Sequence, residues 1–145
     1  MEKVILTTTL NQLKAKEACR EGYEKLVEHL GGVSYDHDAP INLLTILDSN
    51  GVDDMLWSLR AVVHPGVERI ARYIACDCAD LSLAAYEKYA PNDNRPRLAI
   101  EAARKFADGI ITSEELSAAR SAAWSAARSA AKSAEAEIIR QYLAE

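Results

Sequence analysis

The chain has 145 residues, with 17 Lys+Arg against 22 Asp+Glu and a formal charge of -5. That length suits one domain, and the 49% hydrophobic share, built on 25 alanines with only 6% aromatics, excludes a disordered chain. The acidic balance excludes a wholly basic nucleic-acid coat, and no run approaches the roughly 18 apolar residues of a membrane span.

Val4-Ile5-Leu6-Thr7 reads as a short strand, one with nothing to pair with unless the chain dimerises. Thr9 is placed to cap a helix carrying Leu10 and Leu13. Cys19, Tyr23, Leu26 and Leu30 form one helical stripe that Gly31-Gly32 terminates. Pro40 sits at a first helical position with Asp38 as its cap, ahead of Ile41, Leu43, Leu44 and Leu47. Asn50-Gly51 breaks that helix, and the next runs from about Val52 to Val63 with Met55, Leu56, Leu59 and Val63 inward.

A long helix over about 66–89 places Val67, Ile70, Ile74, Cys78, Leu81 and Ala85 on its apolar stripe. Pro91-Asn92-Asp93-Asn94 is a turn, and a helix from about Arg95 to Asp108 presents Ala99, Ala102, Ala103 and Phe106 before the Gly109 stop. Thr112-Ser113-Glu114-Glu115 is a capping box for a final helix toward Glu145. Within it, residues 117–134 repeat in fours (Ser-Ala-Ala-x), giving high helix propensity and a face short enough for close approach of another helix. Trp124 lies on its Arg120-Trp124-Arg128-Lys132 row, at the edge of the core or as an interface anchor. The expected architecture is all-α: a compact single domain over 1–145, a bundle of six or seven helices, with 1–65 as recognition region and 66–145 as helical platform.

Residues 28–54 hold six acids (Glu28, Asp36, Asp38, Asp48, Asp53 and Asp54) and no Lys or Arg, while 16 acids face 17 bases in the rest. The whole acidic excess is therefore local. Such a face attracts a basic groove and repels nucleic acid, although Asp38, Asp53 and Asp54 also stand where helix starts favour carboxylates. Asp36-His37-Asp38 has metal-ligand chemistry but no second cluster to complete a site, so a solvated loop is the expectation and no metal or cofactor is assigned. Cys76 and Cys78 cannot face each other at i,i+2, and Cys78 is expected in the core. Arg95, Arg97, Arg104 and Lys105 form a basic knot that either holds an anion near a helix start or pairs with the protein's own acids. No nucleophile, base and oxyanion set can be assembled, so no catalytic residue is assigned. Three cysteines and no leader point to a reducing cytoplasm, that of a bacterial host cell.

The segment Pro91-Asn-Asp-Asn-Arg95-Pro96-Arg97-Leu98-Ala99-Ile100-Glu101-Ala102-Ala103, then Phe106, Ala107, Gly109 and the Ala-Ala-x-Ser run, resembles the Imm-5-like immunity proteins of bacterial and phage genomes over about 70–134. The resemblance implies a non-enzymatic helical protein that binds and neutralises another protein. Read from the residues, Arg95-Pro96-Arg97 is a structural lock, its arginines reaching acids on neighbouring helices and Arg97 pairing with Glu101. The leading expectation is an immunity-type or phage-encoded anti-defence inhibitor, such as an anti-CRISPR. It blocks a larger bacterial, nucleic-acid-binding protein through Asp36, Asp38, Asp48, Asp53, Asp54 and Trp124, with no direct contact to nucleic acid or membrane. The alternatives are an anionic small molecule or nucleotide at Arg95, Arg97, Arg104 and Lys105, and a structural homodimer through the last helix.

Overall fold

A computed structural model of the chain describes residues 2–89, 91–120 and 138–145. The fold is helical, interrupted by one two-residue ribbon. The chain divides into two compact units, Met1–Val67 with Ile139–Glu145, and Glu68–Ile138.

The first unit starts with strand β1 (Thr7–Thr8), then helices α1 (Leu10–Ala15) and α2 (Arg20–His29). Strand β2 (Ile41–Asn42), helix α3 (Leu43–Asn50), helix α4 (Val52–Ser58) and a 3₁₀ turn (Leu59–Ala61) complete it. Local chemistry sets most of these boundaries. The Thr9 hydroxyl accepts from the Gln12 amide at 3.0 Å and so opens α1. Gly31 and Gly32 close α2 with φ of 109° and 100°, and Gly51, at φ 92°, separates α3 from α4. The core gathers Leu6, Leu10, Leu13, Leu26, Leu43, Ile46 and Met55, with Ile139 and Leu143 from the far end of the chain.

Three expectations fail here for reasons of partner and geometry. The N-terminal strand needs no dimer. Thr7 and Thr8 pair antiparallel with Asn42 and Ile41, and Val4 bridges in parallel to Leu143. Two backbone bonds hold that bridge, Val4 N–H to Tyr142 O at 2.9 Å and Ala144 N–H to Val4 O at 2.8 Å. Pro40 and Asp38 do not start a helix, because Ile41 and Asn42 are drawn into the ribbon. Asn42 instead caps α3, accepting from the Leu44 amide at 2.8 Å. Farther on, the helical step stops at Ser58. Val62 turns extended and becomes the buried residue, and Val63 is left 86% exposed.

The second unit comprises α5 (Val67–Tyr89, entered from the last residue of the first unit), α6 (Arg95–Ala107) and α7 (Ser113–Arg120). The capping box is present: the Thr112 amide donates to Glu115 Oε2 at 2.9 Å, and the Glu115 amide to the Thr112 hydroxyl at 3.3 Å. The apolar stripe of α5 changes face along its length. Ile70 and Ile74 are buried as expected, but next come Cys76 and Leu83, with Cys78 half-buried and Leu81 40% exposed. Cys76 and Leu83, seven residues apart, share a face well round from Ile74. That face meets α6, where Cys76 Sγ lies 3.9 Å from the Ile100 carbonyl. The expected Ala/Ser helix beyond Arg120, with Trp124, lies outside the described residues. No helix among the described residues is long and apolar enough to cross a membrane.

Candidate functional site

The acidic residues of 28–54 all lie in the first unit. Asp36 Oδ1 accepts the Asp38 amide at 2.9 Å, an Asx turn, and Asp38 Oδ1 accepts Asn11 Nδ2 at 2.7 Å from α1. Those bonds hold the Asp36-His37-Asp38 loop beside α1, with all three side chains exposed. Asp48, exposed on α3, pairs with Arg140. Asp53 and Asp54 occupy the first turn of α4, where no side chain caps the free amides and the helix dipole favours negative charge.

Asp53 and Asp54 also line a cavity of about 230 Å³. From α1 comes Leu13, and from α2 come Gly22, Tyr23 and Leu26. Ile46 and Asn50 of α3 and Trp57 and Ser58 of α4 close the other sides. Most of the wall is apolar, and no Lys, Arg or His contributes to it. Asn50 is its cross-tie: its Nδ2 donates to the Gly22 carbonyl and to Asp54 Oδ2, each at 2.8 Å. A β-carbon at Gly22 would sit 2.8 Å from Asp54 Oδ2 and 3.2 Å from Cys19 Sγ, so the Asp54 side chain would have to give way to any larger residue there. The Tyr23 hydroxyl is buried and has no hydrogen-bond partner among the described residues.

Sequence reasoning read Tyr23 as a stripe residue and Asn50 as a helix breaker, and it passed over Gly22. The available signal was Gly22 itself. A glycine inside a helix costs about 1 kcal/mol against alanine, which singles out its position as one where a neighbour lies near the backbone.

In the second unit the basic knot is turned onto the chain's own carboxylates. Arg95 stays within its turn, on Asp93 at 2.6–2.8 Å. Arg97 forks onto both oxygens of Glu87 at 2.8 Å each, a bidentate pair between α6 and α5, in place of the expected pair with Glu101. Arg104 bridges Asp77 at 2.5 Å and Asp80 at 2.6 Å. Burial lowers the Arg104 pKa, but the hydrogen bonds and attraction of those two carboxylates outweigh it and the net shift is upward. Lys105 remains exposed on α6. Arg72 adds a stacking contact, 4.5 Å from the Phe106 ring centre.

At the end of α6, Asp108 accepts from the Tyr73 hydroxyl and from Arg69 Nη2, the latter at 3.0 Å. The Tyr73 bond first, then Arg69, holds its carboxyl below the ordinary value of 3.8. A depressed carboxylate pKa contributes stability above its unfolded value, and that contribution is lost as pH falls through the folded one. Tyr73→Phe is expected to move the Asp108 midpoint upward in a carboxyl-carbon NMR titration. An unmoved midpoint would show that Arg69 alone sets it.

A family model described as "Imm-5 like putative immunity protein" matches residues 68–144. The match takes in the second unit and continues into the C-terminal segment of the first. No curated protein and no solved structure matches the chain. With just over half of its length matched, the chain belongs to the Imm-5-like family of immunity-type proteins.

Proposed function

We propose that the chain is a non-enzymatic inhibitor, an immunity-type or phage-encoded anti-defence protein that binds a larger bacterial protein in the cytoplasm and blocks it. The acidic first unit makes the contact. The observation that carries this reading is the placement of the two charge sets. Asp36, Asp38 and Asp53 are exposed on the first unit, in a stretch that contains no Lys or Arg, and Asp48, also exposed, is paired with Arg140. Arg95, Arg97 and Arg104, the alternative anion site, are engaged with Asp93, Glu87, Asp77 and Asp80. A surface of one sign speeds encounter with a surface of the other and disfavours wrong partners. A nucleic-acid-binding groove on the target supplies that complementary charge.

The test is capture from lysate of the native host at low and high salt, with wild-type chain and with Asp36→Asn, Asp38→Asn, Asp53→Asn and Asp54→Asn combined. Asparagine keeps the acceptor oxygens that Asn11, Asn50 and the Asp38 amide use, so the fold is expected to persist. Binding of the quadruple variant should fall about tenfold or more, and the wild-type complex should weaken steeply with salt. Salt-insensitive capture, or a quadruple variant that binds like wild type, would remove the acidic-face reading.

A further inference from the structure

We infer that the cavity between α1, α2, α3 and α4 is a socket for one arginine side chain of the partner protein. This deepens the acidic-face reading and rests on it. Size comes first. A cavity of about 230 Å³ is smaller than the roughly 300–1,000 Å³ that drug-sized ligands and cofactors occupy. It is larger than the ~150 Å³ that admits a benzene ring. That is room for one long side chain, not for a nucleotide.

Chemistry comes next. The wall is apolar apart from a few groups, and the charged ones are Asp53 and Asp54. An occupant therefore needs an apolar stem and a positive tip. A guanidinium on its methylene stem meets both conditions. Its N–H donors can serve the carboxylates, while its stem lies along Leu13, Leu26 and Ile46. Trp57 also lines the cavity, and its ring carries Arg60 with the guanidinium carbon 4.7 Å from the centroid.

The carboxylate geometry is built rather than incidental. Asn50 fixes Asp54 Oδ2 and ties it to the α2 backbone at Gly22, so one acid of the socket is positioned before any partner arrives. Preorganisation of this kind lowers the ordering cost of association, which is what a buried anchor at the centre of an interface requires.

The experiment is an amide NMR titration of the full chain with blocked arginine (N-acetyl-arginine amide), blocked citrulline of the same shape without the charge, and agmatine, a guanidinium that carries a free amine. Blocked arginine is expected to bind in the millimolar range and to shift Gly22, Tyr23, Asn50 and the Trp57 indole. Citrulline should bind about tenfold more weakly, as should arginine to the Asp53→Asn/Asp54→Asn variant. Equal binding of citrulline, shifts away from these residues, or no shift at all would overturn the socket. Agmatine binding far more tightly than blocked arginine would assign the cavity to a free amine and overturn the partner-side-chain assignment. A failed titration beside salt-sensitive, Asp-dependent capture would sink the socket and leave the acidic face standing. The reverse result would sink the acidic face, and with it the assignment of the occupant to a partner protein, while leaving a cavity that binds arginine.

Discussion

Ile139→Ala is expected to destabilise the first unit by about 3–4 kcal/mol, and removal of residues 139–145 to unfold it. Ile139 is 0% exposed and Leu143 1%, so both are core residues although they lie in the last seven positions. Truncating such a side chain to alanine costs about 2–5 kcal/mol through lost transfer energy and the cavity left behind. A typical domain has about 5–15 kcal/mol in total. The truncation removes both side chains together with the Val4 bridge, and it also takes the Ala144 carbonyl from Asn42 Nδ2, a 2.8 Å bond that steadies the residue capping α3. Because the chain has two units, a single melting curve is a poor reporter. Hydrogen exchange at the Leu43 amide, bonded to the Leu6 carbonyl at 3.0 Å, follows the first unit directly. It should speed up by about 10²–10³-fold in Ile139→Ala. Val33→Ala, at a side chain 90% exposed, should change exchange there little. Unchanged protection of Leu43 in Ile139→Ala would show that the C-terminal segment is not part of this core.

What was legible in the sequence is what short-range chemistry decides. Thr9 with Gln12, Thr112 with Glu115, Gly31-Gly32 and Asn50-Gly51 all act within a few residues of themselves, and the helix ends fall where they stand. The partner of Val4 lies near the other end of the chain, and no periodicity encodes a contact across 139 positions. The same holds for Arg97. Glu101 at i,i+4 was the local candidate, yet Glu87 across the turn takes two of the guanidinium nitrogens, since a fork onto one carboxylate gives two charge-assisted bonds at once. The candidate site divides likewise. The acidic stretch is a fact of composition and was visible. The cavity depends on Tyr23, Asn50 and Trp57 arriving from three helices, and each of them alone reads as packing or punctuation.

Arg104 is the second unit's counterpart to that C-terminal anchor. Its side chain is 32% exposed, and its two carboxylate partners are Asp77, 21% exposed, and Asp80, 46% exposed, both on α5. An exposed ion pair contributes about 0–1 kcal/mol, whereas removing one partner of a fully buried pair costs about 3–5 kcal/mol. With burial between those limits and solvent screening on Asp80, Arg104→Ala should cost about 2 kcal/mol. Part of that loss is the packing of its methylene stem. The remainder is repulsion, since Asp77 and Asp80 sit three residues apart on one helix face with no cation between them. Arg104→Lys should cost about 1 kcal/mol, because a lysine offers one nitrogen where the guanidinium plane reaches two carboxylates. The decisive comparison is a double-mutant cycle with Asp80→Asn. In wild type that change should cost up to about 1 kcal/mol. In Arg104→Ala it should be neutral or stabilising, a coupling of about 1 kcal/mol read from urea unfolding of α5 and α6. Additive losses would mean that Arg104 acts through packing alone. Stabilisation of the wild-type second unit by inorganic phosphate at constant ionic strength would return the basic knot to the role of an anion site.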